Sequence, residues 1–129
     1  LALKLHPQHP ARRFLVGAHG DVVMADCGRL ALDADEQVTL TTEAGAEYDI
    51  ARKDWGFYAT PSLNGRLESF GLRGVLVKNA IGRYFVLLVE RGKEDLFEAY
   101  RESEGLAIVT WLDSTGALEL LEQALREHP

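Results

Sequence analysis

Scarcity frames this sequence. One cysteine, Cys27, stands among 129 residues. No disulfide can close within the chain, and a reducing, cytoplasmic setting is expected. The longest purely apolar run, Phe85 to Val89, is far shorter than the roughly 20 residues of a membrane-spanning helix. No membrane partner is expected. The opening LALKL stretch is too short for the apolar part of a secretion signal and runs into Pro7 and Pro10, so no leader is expected in it. There is no low-complexity tract, repeat or linker, which predicts a single domain over residues 1–129.

Motifs for common chemistries are also missing. His6 and His9 are interrupted by Pro7 rather than aligned on a helix, and no cysteine pair accompanies them. Neither a metal nor another cofactor is expected. Ser62 lacks the Gly-x-Ser-x-Gly turn of a nucleophile elbow. Cys27 and His19 form a nucleophilic pair only if the fold joins them; a buried, inert thiol is the expectation. Gly17 to Gly20 is too short a loop, with no helix behind it, to cradle a phosphate. Asp33, Asp35 and Glu36 read as a solvated turn.

What is present is ordinary for a globular protein: 47% hydrophobic and 26% charged residues. The net charge of −6 is unevenly spread. Residues 1–50 hold 4 Lys and Arg against 8 Asp and Glu, residues 51–92 hold 7 against 3, and residues 93–129 hold 3 against 9. The overall acidity argues against a nucleic-acid partner, which selects basic surfaces. The positive middle leaves room for a small anionic ligand. The acids Glu94, Asp95, Glu98, Glu102, Glu104, Glu119 and Glu122 read as the wet faces of two helices.

The pattern predicts an α+β fold. Residues 1–10, with two prolines, read as an irregular N-terminal arm. Short strands are expected at 13–16, 21–25, 29–32, 37–41 and 46–50, forming an antiparallel meander, small barrel or sandwich. Residues 74–78 and 83–89 flank Asn79 to Gly82 as a hairpin, and their continuous apolar character predicts burial on both faces. A helix over 93–104 ends at Gly105. A strand over 106–112 follows, then a final helix opened by Ser114 or Thr115, with Leu118, Leu121 and Leu125 on one face.

The stretch most suited to function lies between Arg52 and Arg73. Trp55, Phe57 and Tyr58 precede a turn that carries Ser62, Asn64 and Gly65. Arg52, Lys53, Arg66 and Arg73 bracket it. Aromatic faces stack on sugars and bases, and guanidinium forks bind anionic oxygens in pairs. Arg52, Trp55, Tyr58, Ser62, Asn64, Arg66 and Arg73 are therefore the candidate ligand-binding residues. The same residues also read as packing at a strand end or as a protein interface.

Residues Trp55 to Leu67 (WGFYATPSLNGRL), followed by Gly71 to Asn79 and Trp111 to Asp113, resemble small uncharacterised bacterial proteins encoded in surface-polysaccharide gene clusters. The resemblance spans about residues 48–113. It implies a bacterial cytosolic role near nucleotide-sugar or glycan assembly and carries over no catalytic residue. The sequence thus leads to an accessory domain that binds an anionic, sugar-nucleotide-like metabolite. An enzyme acting on a sugar or sugar nucleotide is the first alternative. An interaction module that forms a homodimer, hiding its hairpin edge, is the second.

Overall fold

A computed structural model describes residues 4–59 and 61–128. Its best-buried strand is β6 (Leu72–Lys78), flanked by β7 (Tyr84–Glu90) and β8 (Ala107–Trp111) in a three-stranded antiparallel sheet ordered β7-β6-β8. Val75 and Val77 of β6 are fully buried. The hairpin expected at 74–89 is present. Asn79 closes its loop by accepting from the backbone N–H groups of Ile81 (3.2 Å) and Arg83 (2.8 Å).

Each face of this sheet has its own core. On one, Val75, Val77, Val89 and Leu106 pack with Trp111 and with Phe97 of helix α2 (Glu94–Glu104). Phe97 and Trp111 meet edge to face, with centroids 5.9 Å apart. On the other, Leu72 packs with Ala46 and with Leu67 of the short helix α1 (Arg66–Ser69), joined by Tyr48, Leu63 and Leu88. Gly74 admits this second layer: a Cβ there would lie 3.1 Å from Leu63 Cδ2.

Burial of both hairpin strands on both faces is not what the structure shows. Tyr84, Phe85 and Val86 of β7 are each about half exposed, whereas β6 is covered. The physical reason is position. β6 is central, while β7 is an edge strand, and an open cleft lies between its Phe85 and the end of α2.

The meander consists of β3 (Gln37–Thr41), β4 (Glu47–Lys53) and β5 (Gly56–Tyr58), paired in that order. Its register sets Gln37 opposite Ala51, Thr39 opposite Asp49 and Ala51 opposite Tyr58. Directly opposed residues share a face, so Asp49, Ala51 and Tyr58 lie on one side. Arg52 and Phe57, also opposed, lie on the other.

The N-terminal arm is a correction. Lys4 to Val16 is one strand, β1, paired antiparallel with β2 (Val22–Ala31); Leu1 to Leu3 lie outside the described residues. Pro7 and Pro10 are accommodated because the ladder breaks there. Pairing runs to Pro7 opposite Gly28 and resumes at Arg12 opposite Asp26. Gly28 is required at that break, since a Cβ would come within 2.6 Å of the His6 carbonyl oxygen at φ 145°. The two strands expected at 21–25 and 29–32 are therefore one strand, β2, and the extra residues at the break belong to β1. With three separate sheets in its described residues, the fold contains no closed barrel.

The ribbon β1–β2 has little covering. Leu15 opposes Val23 on one face and Phe14 opposes Met24 on the other. Leu15, Val23 and Met24 are 64%, 56% and 46% exposed. The ribbon's turn meets the end of α2, where Ala18 N donates to the Glu104 carboxylate and His19 Nε2 donates to the Ser103 carbonyl (2.8 Å).

Helix α2 ends on Gly105 in the left-handed region (φ 67°), as its sequence predicts. Helix α3 (Thr115–Glu127) opens on Ser114, whose Oγ accepts from Ala117 N. Of its expected apolar stripe, Leu121 and Leu125 are exposed, so the helix pattern is real but lacks a covering layer.

Candidate functional site

Three of the seven predicted ligand residues converge. Tyr58 of β5, Ser62 of the following turn and Arg66 of α1 line one cleft of about 130 Å³, together with Gln37, Asp49 and Pro61. Two structural facts bring them together. The meander register places Tyr58 on the face of Asp49. Fully buried Leu67 then pins α1 against β6, which leaves its neighbour Arg66 pointing toward β4.

The cleft has a built electrostatic wall. Arg66 Nη2 donates to Asp49 Oδ2 (2.9 Å), and Thr39 Oγ1 donates to Asp49 Oδ1 (2.7 Å). Asp49 is buried at 8% exposure, whereas more than half of the Arg66 side chain is accessible. Arg66 also lies 5.2 Å from the Phe70 ring centroid. Among the described residues its other guanidinium N–H groups make no hydrogen bond. Ser62 Oγ accepts from Arg66 N (2.7 Å), which shapes the turn and leaves the hydroxyl proton to donate elsewhere.

The other four predicted residues lie elsewhere. Arg52 is on the opposite face of the meander, donating to the Gly56 carbonyl (3.1 Å) and lying 5.6 Å from the Phe57 ring centroid. Trp55 sits in the turn joining β4 to β5 and is 69% exposed, outside the lining of the cleft. Asn64 donates to Thr115 Oγ1 (3.1 Å), tying the turn to α3. Arg73 is on β6, where its Nε donates to Asp113 (2.6 Å), its Nη1 to Glu94 (3.4 Å), and its guanidinium stacks 4.0 Å from the Trp111 ring centroid. That network holds the end of β8 to the start of α2. It keeps the Asp113 carboxyl below its ordinary pKa, first through the hydrogen bond from Arg73. One basic segment of sequence thus becomes three separate arginine sites, because Arg52, Arg66 and Arg73 are carried by three different elements, β4, α1 and β6.

Two further expectations are corrected. Cys27 is exposed on the ribbon rather than buried, because no layer covers that strand; its thiol faces the Ala25 carbonyl (3.5 Å), while His19 is engaged with Ser103. Glu104, read as part of a wet helix face, is 8% exposed. Sequence gave no signal for this, because the group that covers it, Ala18, lies 86 positions away. Among the described residues no group of three or more His, Cys, Asp and Glu side chains is arranged to hold a metal ion. No helix of the described residues is long and apolar enough to cross a membrane.

Asp49 itself is the site residue that the sequence reading missed. Its only trace was the alternation of residues 46–50, which placed it on a strand without saying what faced it. In comparisons with known proteins, no family model, no curated protein and no solved structure matches the chain.

Proposed function

We propose that this chain is a small accessory domain, without catalysis of its own, that binds an anionic sugar-phosphate or sugar-nucleotide-like metabolite in the cytoplasm. The observation that carries the reading is the adjacency of Arg66 and Asp49 on one cleft wall, beside Tyr58 and Ser62. A bare anion would meet the Asp49 carboxylate as well as the arginine. A ligand that combines a phosphoryl group with sugar hydroxyls satisfies both: phosphoryl oxygens accept from Arg66, and a hydroxyl donates toward Asp49. The exposed face of Tyr58 suits a sugar ring. At about 130 Å³ the cleft is smaller than the roughly 300–1,000 Å³ of sites that engulf a drug-sized ligand. It therefore takes one end of the ligand.

Thermal unfolding with UDP-glucose, glucose 1-phosphate and inorganic phosphate tests this. The two sugar phosphates are expected to raise stability, by about 2.7 kcal/mol at one hundred times their dissociation constant, and inorganic phosphate much less. Arg66→Lys keeps the charge beside Asp49 but removes the planar fork, and is expected to weaken binding about tenfold. Absence of stabilisation by either sugar phosphate would remove the proposal.

A second reading, association of two copies, is favoured by the uncovered ribbon. Leu5, Leu15, Val16, Val23, Met24 and Leu30 are all exposed. They are divided between the two faces of the ribbon, Leu15 and Val23 on one and Val16 and Met24 on the other, so each face carries an exposed apolar cluster. A two-stranded ribbon is also marginally stable alone, so a second copy both covers and completes it. Sedimentation velocity is expected to give a dimer at micromolar concentration, converted to monomer by Leu15→Lys. A monomeric wild type over that range would exclude this reading.

A further inference from the structure

A larger cleft, of about 630 Å³, opens between the β1–β2 turn, the β6–β7 loop, β7 and the end of α2. Val16, Ile81, Phe85, Leu87, Tyr100 and Leu106 supply most of its wall. The volume lies within the range of sites that enclose small organic molecules. It shares no residue with the Tyr58–Arg66 cleft.

Its one charged group is Glu104, which is more than nine-tenths buried. Among the described residues Glu104 forms no ion pair. Its one hydrogen bond runs from Ala18 N to Oε2. A carboxylate has acceptor sites for about four hydrogen bonds, and among the described residues no donor reaches Oε1. Gly17 keeps space open there, since a Cβ would lie 2.7 Å from Oε1. Oε1 keeps contact with the solvent of the cleft, since no fully buried side-chain oxygen lacks a partner among the described residues, and a cation or strong donor that enters meets a carboxylate oxygen with no competing partner. The C-terminal end of α2, where Glu104 sits, adds partial negative charge of the same sign.

We propose that this cleft binds a small organic cation: an alkyl- or arylalkyl-ammonium whose apolar body lies on Phe85, Leu87 and Ile81 and whose head donates to Glu104 Oε1. The apolar wall selects the body and the lone carboxylate selects the head. Anions of the same shape are repelled.

The test is an amide NMR titration of the full chain with 3-phenylpropylammonium, 3-phenylpropanol and 3-phenylpropanoate at pH 7. The ammonium is expected to shift the amides of Ala18, Ile81 and Gly105 and to bind at least tenfold tighter than the alcohol, with the carboxylate weakest. Glu104→Gln keeps an acceptor oxygen for Ala18 N and removes the charge. It is expected to reduce the ammonium to the affinity of the alcohol. Phe85→Ala is expected to weaken ammonium and alcohol alike. Equal affinity of ammonium and alcohol for the wild type would overturn the proposal, as would no response of those amides to the ammonium. The wild-type comparison decides the matter even if Glu104→Gln fails to fold.

Discussion

Replacing Leu67 with alanine is expected to destabilise the domain by about 3 kcal/mol, within the range for emptying a fully buried leucine site. Leu67 has no exposed surface and joins Leu72 and Ala46 in the core on one face of the β6 sheet. Its helix spans only Arg66–Ser69, too short to stand by its own hydrogen bonds. Tertiary anchoring must therefore hold it. The loss should show as a lower midpoint in urea with an unchanged slope. A second effect follows from position. Arg66 and Ser62 are held at the cleft by the turn that Leu67 pins, so the folded variant should also bind sugar phosphates more weakly. A loss below about 1 kcal/mol would mean that α1 is not packed as described.

Arg73→Ala is expected to cost about 2 kcal/mol, less than the 3–5 kcal/mol of breaking a deeply buried pair because a quarter of its side chain is exposed. The variant leaves Asp113, whose side chain is only 13% exposed, without its main partner and strips the cover from Trp111. The pH dependence of stability supplies an independent readout. Asp113 is held below its ordinary pKa in the folded protein, chiefly by Arg73. Its contribution is therefore complete above the unfolded value near 3.9 and is lost as pH falls through the lower folded value. As pH falls below the ordinary aspartate value, wild type should lose stability more steeply than Arg73→Ala. Parallel curves for the two proteins would show that the pair contributes nothing.

These two residues also mark where sequence reading succeeds and where it stops. Periodicity located β3, α2 and α3, and apolar runs around a turn located β6 and β7, although the burial expected of β7 and of the α3 stripe is not seen. Gly105 and Ser114 gave the helix ends for local reasons of backbone and capping geometry. Only the end of β1, at 13–16, was legible; its first part was hidden because Pro7 and Pro10 suppress strand signals, while the bulge that tolerates them depends on Gly28 across the ladder. Helix α1 was hidden because four residues are too few to show a period.

The candidate site was legible in type and only partly in place. Arg66 and Arg73 carry the same chemistry in sequence, yet one borders an open cleft beside Asp49 and the other closes a network with Asp113 and Glu94. What separates them is the element that carries each, α1 for Arg66 and β6 for Arg73, and the acidic partners that tertiary packing brings to it. Glu104 shows the same limit in reverse. It looks like any helix-surface acid until a turn 86 positions away is laid over it.

That overlay has a thermodynamic corollary. The wall around Glu104 is assembled from the tip of the β1–β2 ribbon and the end of α2, and exists only while the two are seated together. Whatever occupies the space must therefore also fasten the ribbon, since occupancy and seating are linked equilibria that shift each other by equal free energies.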